Sequence, residues 1–331
     1  MNILRTKITA SSHYLPERRV TNLELQQTVD TSDSWIVERT GIRERRVAAK
    51  GQATSDLATE AAKSLLKKRG IDATELDLII VATVTPDMMF PSTACLVQHK
   101  IGAKNAWGFD LSGACSGFIY ALATGSQFIA TGSHKKVLVI GADVMTSIID
   151  FDDRATCVLF GDGAGAVLLE PAVGDEIGIM DSLLRSDGSG GQHLYMPAGG
   201  SLNPPTVETV QKKMHYVHQD GKNVFKYAVR GMADISAEIL EKNAIPSKDI
   251  KLYIPHQANL RIIKAAVDRM KLDDSQVAIN IDRFANTTAG TIPICLSEAA
   301  ENKKIVRGDK VLLASFGAGW TWGSLLLRWE Y

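Results

Sequence analysis

The chain has 331 residues, of which 45% are hydrophobic, and its 37 basic side chains balance 37 acidic ones. This length and composition predict a large folded core and exclude an intrinsically disordered chain. The balanced charge excludes a global field that would attract nucleic acid or an anionic membrane, but it is compatible with one local basic patch for an acidic partner.

The cysteines and the N-terminal segment predict a cytoplasmic protein. Cys95, Cys115, Cys157 and Cys295 are widely spaced, form no CxxC pair, and would be a sparse disulfide framework for a chain of this size. The segment MNILRTKITASSHYLPERR has no apolar stretch followed by a small-residue cleavage site, and no run approaches the ~18 uncharged apolar residues of a membrane span. We therefore expect a reduced protein without a targeting segment or a membrane span.

The predicted elements alternate between helices and buried strands. Residues 54–70 repeat apolar side chains on one helical face, with Thr54 or Ser55 as the expected N-cap and Gly70 as the expected end. Continuously apolar runs, typical of strands covered on both faces, lie at residues 76–83, 136–143 and 165–170. This alternation predicts a layered α/β fold.

One offset of 174 residues aligns several segments of the two halves. It carries GIDATELDLIIVAT onto AIPSKDIKLYIPHQ, and KVLVIGAD onto KVLLASFG. We infer a duplicated α/β fold with halves at residues 1–172 and 173–331. The Gly-, Pro- and Ser-rich residues 185–205 are expected to form a long ordered loop and not a domain boundary.

Cys115 stands among small residues just before an apolar helix predicted at residues 116–132. A cysteine at a helix N-terminus is stabilised as a thiolate by the helix dipole and the unpaired N–H groups, so we expect a lowered thiol pKa. The alternative for a single cysteine is a small hydrophobic core residue.

Two polar residues follow other elements in positions suited to a site. His256 follows an apolar strand and precedes a helix that is expected to begin near Ala258, which places its ring at the edge of the sheet where α/β folds bind ligands. Asn286 precedes a small-residue turn that the 174-residue offset relates to the Cys115 turn. Alone, His256 could be a hydrogen-bonded strand-end residue, and Asn286 could simply cap a helix.

Of three further motifs, one is compatible with a ligand site and the other two argue against a nucleotide site and a metal site. Gly317, Ala318 and Gly319 lie between two apolar strands, where small residues let backbone N–H groups face a ligand oxygen, although they also fit an ordinary hairpin. The run GDGAGA precedes a strand and not a helix, which argues against a dinucleotide site. His215 and His218 have no accompanying metal ligands, so no metal is expected.

Taken together, GACSGF, PHQANLRI, NTTAG and FGAGWTWGS resemble the motifs of the β-ketoacyl-acyl carrier protein synthase III family, which belongs to the thiolase superfamily. The resemblance runs along the whole chain, including DTSDSWIVERTGIRERR and RATCVLFGDGAGAVLLE. It implies a five-layer αβαβα fold of two similar halves.

The resemblance also implies catalytic roles. Cys115 matches the nucleophile that accepts an acyl group from acyl-CoA, and His256 and Asn286 match the pair that hydrogen-bonds the malonyl thioester carbonyl. The backbone N–H groups of Cys115 and Ala318 match an oxyanion hole, with alanine at position 318 where glycine is commoner in the family. The implied reaction joins a short acyl-CoA, expected to be acetyl-CoA, to malonyl-acyl carrier protein with loss of CO2, and it needs no cofactor or metal.

Further positions match the binding surfaces of the family. Trp35 and Arg154 match residues that sandwich the CoA adenine, and Arg39, Phe225 and Asn259 match the rest of the CoA channel. A carrier-protein patch is expected from the basic side chains of Lys226, Arg261, Lys264 and Lys271. Phe90 matches the residue that reaches the acyl pocket of a neighbouring subunit, which implies a homodimer and a short primer.

Three other functions stay open at this point. A specialised homologue could use another acyl-CoA in secondary metabolism, a Cys-His-Asn hydrolase would use the same residue types, and an inactive scaffold would only bind acyl carriers. The absence of a cysteine after Cys295 argues against a degradative thiolase, and Asn286 argues against an elongating synthase, which has a second histidine there.

Overall fold

The structure is a computed structural model that describes residues 4–174 and 177–331. Its strands, β1 to β13, are Thr6–Tyr14, Arg18–Thr21, Glu44–Val47, Leu78–Ala82, Trp107–Leu111, Val137–Val144, Asp162–Pro171, Gly178–Ser186, Leu194–Tyr195, His218–Gln219, Leu252–Pro255, Lys310–Gly317 and Thr321–Arg328. Its α-helices, α1 to α11, are Asn22–Leu25, Asp33–Thr40, Thr54–Arg69, Thr93–Ile101, Gly117–Ala130, Arg154–Cys157, Val207–Gln211, Gly221–Lys242, Leu260–Met270, Ile281–Phe284 and Thr291–Glu301. Short 3-10 turns precede two of these helices and are described with the site.

Two mixed sheets share the order of four strands, and their parallel pairs share one register. The first has the order β1-β7-β6-β4-β5, and the second has the order β11-β12-β13-β8. In the first sheet Leu78 of β4 pairs with Val137 of β6, and in the second Leu252 of β11 pairs with Val311 of β12, both in parallel. These pairs differ by the predicted offset of 174 residues. The boundary between residues 172 and 173 stays a prediction.

The apolar strands are buried on both faces, which gives the fold five layers. Side chains alternate along a strand, so Ile80 of β4 faces a central core while Ile79 and Val81 face an outer one. Helices α5 and α11 fill the central core between the sheets, α3 and α4 cover the outside of the first sheet, and α8 and α9 cover the outside of the second. The predicted αβαβα architecture is confirmed.

Helix α3 shows one correction at its start and one agreement at its end. Its N-cap is Ala53, whose side chain makes no capping hydrogen bond. Instead, the carboxylate of Asp56 accepts a hydrogen bond from the Ala53 backbone N–H at 2.9 Å. The prediction of Thr54 or Ser55 as N-cap is therefore wrong, since both lie inside the first turn. The helix is followed by Gly70 in the left-handed conformation (φ 72°), as the sequence predicts.

The Gly- and Pro-rich excursion is ordered and lies over the central site. Residues 185–205 contain β9, which pairs antiparallel with β10 further along the chain, and Leu194 of β9 lines both cavities described below. Within residues 4–174 and 177–331, no helix is both long enough and apolar enough to cross a membrane.

Candidate active site

Two 3-10 turns meet where the halves join. The Cys115 turn, Ala114–Ser116, precedes α5, and the Ala289 turn, Thr288–Gly290, precedes α11. In each turn the first residue has a left-handed backbone, with φ 46° at Ala114 and 52° at Thr288. Such conformations are costly for residues other than glycine and concentrate at functional sites. A Cβ atom on Gly117 would lie 3.2 Å from the Cβ atom of Ala82, which is one reason for the small residues here.

Cys115 lies between two cavities and is only 7% exposed. A cavity of about 130 Å³ is lined by Cys115, His256 and Asn286, and an apolar cavity of about 160 Å³ lies on the other side of the Cys115 turn. The structure thus brings the three predicted side chains into one place. The thiol can be reached from the first cavity while a small apolar group occupies the second.

The prediction that the helix N-terminus lowers the Cys115 pKa is wrong for this structure. Burial raises the pKa of the thiol to about 12, and the negative charge of Asp143 adds to the rise, whereas hydrogen bonds from its own backbone and from the Asn286 side chain oppose it. Loss of water destabilises the charged thiolate relative to the neutral thiol, and this effect exceeds the stabilisation that the two hydrogen bonds give to the thiolate. Cys115 is therefore a thiol before substrate binds.

Asp143 is a buried carboxylate beside the site that sequence reasoning missed. It accepts hydrogen bonds from the hydroxyl groups of Thr83 and Thr85, from the N–H groups of Val84 and Thr85, and from the N–H of Ala289 at 3.2 Å. Burial raises its pKa to about 6. A charged residue that ends the apolar strand β6 is the sequence signal that could have marked it.

His256 directly follows β11, and it lines the first cavity. Its backbone N–H donates to the carbonyl of Ala314 at 2.8 Å, and its ring atom Nδ1 lies 2.7 Å from Oγ1 of Thr291. Its Nε2 is buried and has no hydrogen-bond partner in the described structure. Burial lowers the pKa of the imidazole to about 3, so the ring is neutral. The following helix α9 begins at Leu260, with Asn259 as N-cap, two residues later than predicted.

Asn286 presents its amide group toward the thiol. Its Oδ1 accepts from the N–H of Thr288 at 2.8 Å, so its NH2 group is directed away from that turn. The backbone is held on both sides, since Asn286 N–H donates to Leu159 and its carbonyl accepts from Gly161, both at 3.0 Å. Asn286 is not the N-cap of α11, which is Gly290, so the capping alternative is wrong; Oδ1 supports only the local turn, and the amide nitrogen is the part that is available to a ligand.

The glycine-rich turn between β12 and β13 packs against the Cys115 backbone. A Cβ atom on Gly317 would lie 2.9 Å from the Cys115 nitrogen, and Ser315 Oγ donates to the Cys115 carbonyl at 2.8 Å. Ala318 lines the apolar cavity. The positive φ angles of this turn fall at Gly319 (73°) and Trp320 (37°), so alanine at position 318 introduces no left-handed strain.

The predicted CoA residues form two groups around the first cavity. Phe225 and Asn259 line it, and Asn259 Nδ2 donates to the carbonyl of Arg39 at 3.0 Å. The guanidinium groups of Arg39 and Arg154 lie 4.9 and 4.8 Å from the centre of a Trp35 ring. Since Arg154 is already in contact with Trp35, an adenine could enter between them only after Arg154 moves.

The four basic residues of the predicted patch are exposed on the neighbouring helices α8 and α9 and at their ends. The guanidinium of Arg261 lies 4.6 Å from the centre of the Phe225 ring, at the mouth of the first cavity. Lys226 lies in the same region, beside Tyr227. Lys264 is one turn further along α9, and Lys271 follows its last residue, far from the cavity.

Phe90 and the metal candidates lie outside this site. Phe90 is 83% exposed in the loop between β4 and α4, and it lines neither cavity of its own chain. Among residues 4–174 and 177–331, no group of three His, Cys, Asp or Glu side chains is arranged to hold a metal ion.

Sequence motifs and relatives agree over the whole chain. Residues 109–188 match the family described as 3-oxoacyl-[acyl-carrier-protein (ACP)] synthase III, and residues 240–329 match the C-terminal part of that family. The chain is 56% identical over 331 residues to the β-ketoacyl-[acyl-carrier-protein] synthase III of Koribacter versatilis, covering 100% of this chain and 99% of that protein.

Solved structures show the same fold. The 3-oxoacyl-[acyl-carrier-protein] synthase III of Aquifex aeolicus superposes with a TM-score of 0.90 at 44% identity, covering 98% of this chain and 100% of that one. The priming β-ketosynthase of a polyketide biosynthetic pathway superposes with a TM-score of 0.92 at 32% identity, covering 99% and 97%. The α/β fold is therefore thiolase-like, and the chain belongs to the 3-oxoacyl-[acyl-carrier-protein] synthase III family, whose members are acyltransferases of the condensing-enzyme type.

Proposed function

We propose that this enzyme condenses acetyl-CoA with malonyl-acyl carrier protein to give acetoacetyl-acyl carrier protein, CoA and CO2, the first condensation of fatty acid biosynthesis. The observation that carries the proposal is the convergence of Cys115, His256 and Asn286 on one cavity. The cavity offers a nucleophile on one side and a neutral ring and an amide on the other. This is the set of groups that a thioester exchange followed by enolate formation requires.

Acyl transfer begins at the Cys115 thiol. Its sulfur attacks the acetyl-CoA carbonyl, and the backbone N–H groups of Cys115 and Ala318 hold the resulting oxyanion. The C–S bond to CoA then breaks, and the CoA sulfur takes the proton that the thiol gives up. Because burial raises the pKa of Cys115, the proton is transferred as the new bond forms and is not lost beforehand.

Condensation uses the other two side chains. The malonyl carboxylate leaves as CO2, and its bonding electrons pass to the thioester, which becomes an enolate. His256 Nε2–H and the Asn286 amide donate to the enolate oxygen, so they stabilise the charge that develops in the transition state more than the ground state. The enolate carbon attacks acetyl-Cys115, the C–S bond breaks, and the released sulfur regains a proton from solvent. No cofactor or metal enters these steps.

The two cavities suit the two substrates. The apolar cavity of about 160 Å³ is lined by Met145, Ile148 and Val217 and accommodates a short acyl group on Cys115. Phe225 and Asn259 form the channel for the pantetheine arm, with Trp35, Arg39 and Arg154 at the adenine end.

A homodimer is part of the proposal. Strand β5 pairs only with β4 among the described strands, so its outer edge can pair with a second copy, and its first residue, Trp107, is 49% exposed. The exposed Phe90 would then reach the partner and limit the length of the primer. Light scattering should give twice the 35.9 kDa mass of the chain, and a monomer would overturn this part.

The carrier protein is proposed to bind the patch formed by Lys226, Arg261, Lys264 and Lys271, because acyl carrier proteins are acidic. Lys264→Glu should raise the KM for malonyl-acyl carrier protein several-fold and leave acylation of Cys115 by acetyl-CoA unchanged. Lys67→Glu, an exposed lysine on α3, is the matched control. Equal KM values for the two variants would place the carrier protein elsewhere.

We place the enzyme in the cytoplasm. All four cysteines are free, and catalysis needs Cys115 in its reduced form. A role in secondary metabolism is not favoured, because the chain is 56% identical to the β-ketoacyl-[acyl-carrier-protein] synthase III of Koribacter versatilis and 32% identical to the polyketide priming enzyme.

Half-reaction assays test the catalytic roles. Cys115→Ala should abolish acylation and condensation, while His256→Ala and Asn286→Ala should acylate normally and lose malonyl decarboxylation and condensation. Cys95→Ala, which removes the exposed cysteine, should behave as the unaltered enzyme. Normal condensation by both the His256 and Asn286 variants would refute the assignment, and hydrolysis of acyl thioesters without decarboxylation would favour a hydrolase. A primer panel with the products identified by mass tests the choice of acetyl-CoA.

A further inference from the structure

We propose that Thr291 is a positioning residue that sets the tautomer of His256, so that Nε2 carries the ring proton and offers a hydrogen-bond donor to the first cavity. The inference rests on the proposed function, in which Nε2–H donates to the enolate oxygen. The tautomer itself is a property of the free enzyme and can be measured without substrate.

The contact lies in a closed environment. His256 and Thr291 are each 2% exposed, and Nδ1 of the ring lies 2.7 Å from Oγ1 of the threonine. Thr291 begins α11, directly after the Ala289 turn, and His256 directly follows β11, so the contact joins the ends of two elements of the second half. Because burial keeps the ring neutral, it carries one proton, on Nδ1 or on Nε2.

The proton of the Thr291 hydroxyl decides between the two tautomers. Oγ1 lies 3.1 Å from the carbonyl of Thr288 and 2.7 Å from the ring nitrogen, and it can donate to only one of them. If it donates to the carbonyl, the ring must donate from Nδ1, and Nε2 has a free lone pair. If it donates to Nδ1, the ring proton is on Nε2.

The distances favour donation to the ring. Hydroxyl donors form shorter hydrogen bonds to oxygen than N–H donors do, with O–H···O distances of about 2.7–2.8 Å against N–H···O distances of about 2.9–3.0 Å. The 2.7 Å contact therefore fits O–H···N better than N–H···O, while the 3.1 Å contact to Thr288 is long for a hydroxyl donor. Thr291 then holds Nδ1 as an acceptor, which leaves the proton on Nε2.

This arrangement determines what His256 can do. Nε2 is buried with no hydrogen-bond partner among the described residues, and the His256 side chain lines the cavity that Cys115 and Asn286 also line. As a donor, it pairs with the amide of Asn286 to bind an oxyanion. With the opposite tautomer, its lone pair would repel that oxyanion and could instead accept the Cys115 proton.

NMR of the unliganded enzyme labelled with [15N]histidine reads the tautomer directly, because the two ring nitrogens differ strongly in shift when one is protonated. The His256 signal is identified by its loss in His256→Gln. We expect the Nε2–H form in the unaltered enzyme and in Thr291→Ser, and a mixed or Nδ1–H form in Thr291→Val. Ser297→Ala is the matched control, since Ser297 lies on the same helix and its hydroxyl contacts the ring of His13 at 2.9 Å.

Kinetics should follow the tautomer. Thr291→Val should lower kcat for condensation about 10-fold or more, the range expected when one oxyanion donor is weakened, with little change in KM or in the rate of Cys115 acylation. Thr291→Ser should restore the rate. An Nδ1–H ring in the unaltered enzyme overturns the proposal without needing any variant, as does an Nε2–H ring in Thr291→Val. If His256→Ala and Asn286→Ala both condense normally, the proposed function fails instead, whichever tautomer is found.

Discussion

The Cys115 turn and the Ala289 turn have the same backbone conformation but differ in what the neighbouring strand presents to them. The offset of 174 residues relates Cys115 to Ala289, Gly141 to Ser315, and Asp143 to Gly317. Strand β6 of the first half faces the Ala289 turn, and strand β12 of the second half faces the Cys115 turn, so each half supports the turn of the other.

The order of small and polar residues is reversed between the two strands. At the Ala289 turn, a Cβ atom on Gly141 would lie 2.2 Å from the Ala289 carbonyl oxygen, and Asp143 accepts from the Ala289 N–H at 3.2 Å. At the Cys115 turn, Ser315 donates to the carbonyl, and Gly317 lies beside the N–H without a side chain. The Asp143 carboxylate therefore accepts a hydrogen bond from the N–H of the Ala289 turn, and no carboxylate takes the equivalent position at the Cys115 turn. Under the proposed function, this difference would leave only the Cys115 N–H free to bind a developing negative charge.

The largest expected effect on activity comes from adding a side chain at Gly317, which lies beside the Cys115 N–H and leaves that side of the turn open. In Gly317→Ala the new Cβ atom would lie 2.9 Å from the Cys115 nitrogen, closer than real Cβ contacts allow. We expect kcat to fall about 10²- to 10³-fold, as when an oxyanion-hole donor is removed. Steady-state kinetics measures the loss.

Gly200→Ala is the control for Gly317→Ala, because a Cβ atom there meets nothing within 4 Å. Circular dichroism of both variants separates loss of activity from loss of fold. A folded Gly317→Ala enzyme with full activity would contradict a role for the open side of the turn.

A smaller effect is expected from replacing Asp143, whose carboxylate accepts from the N–H of the Ala289 turn. In Asp143→Asn the amide group cannot accept from every donor that surrounds Asp143, so at least one buried donor loses its partner, and the free energy of unfolding should fall by about 1–3 kcal/mol. Removing the negative charge should also lower the pKa of Cys115, because that charge raises it.

Urea denaturation measures the first consequence of Asp143→Asn, and the pH dependence of iodoacetamide labelling measures the second. Both use a Cys95→Ala background, in which the other two cysteines are buried. An unchanged labelling profile would show that Asp143 does not act on the thiol.

The two buried ionisable groups that contact the Ala289 region should respond to acid in opposite directions. The pKa of Asp143 is raised to about 6 from 3.8, so the folded state gains stability as the pH falls from 6 to 4. The pKa of His256 is lowered to about 3 from 6.5, so the folded state loses stability as the pH falls below 6.5. In the unaltered enzyme the two contributions should nearly cancel between pH 6 and 4.

Single variants expose each slope. As the pH falls from 6 to 4, the free energy of unfolding of Asp143→Asn should decrease by up to about 1.4 kcal/mol per pH unit relative to that of the unaltered enzyme. That of His256→Gln should increase by a similar amount. Urea denaturation at pH 6, 5 and 4 measures both slopes. Parallel curves for all three proteins would contradict the two pKa directions.

The sequence predicts much of this comparison, because register and order repeat at a fixed spacing. Leu78 and Leu252, or Val137 and Val311, occupy equal positions in apolar runs that only a strand buried on both faces explains. The turns that carry Cys115, His256 and Asn286 could be placed because small residues, strand ends and helix starts are local signals.

The parts that could not be predicted depend on contacts between distant segments. The pKa of Cys115 depends on how deeply the turn is buried and on Asp143, which β6 brings close. The partner of the His256 ring, Thr291, is 35 residues away in sequence, and no local pattern pairs them. Ala53 as the N-cap of α3 was equally hidden, because the cap comes from Asp56 in place of the capping residue itself.

The smallest expected effect concerns the closed side of the Cys115 turn. Ser315→Ala removes the hydrogen bond to the Cys115 carbonyl, which should cost about 1 kcal/mol of stability. Activity should fall only a few-fold, because the carbonyl faces away from the developing charge while the N–H faces it. Thermal unfolding and steady-state kinetics of Ser315→Ala beside Gly317→Ala compare the carbonyl and the N–H of the Cys115 backbone. If Ser315→Ala lost as much activity as Gly317→Ala, rigidity of the turn and not access to its N–H would be what distinguishes it from the Ala289 turn.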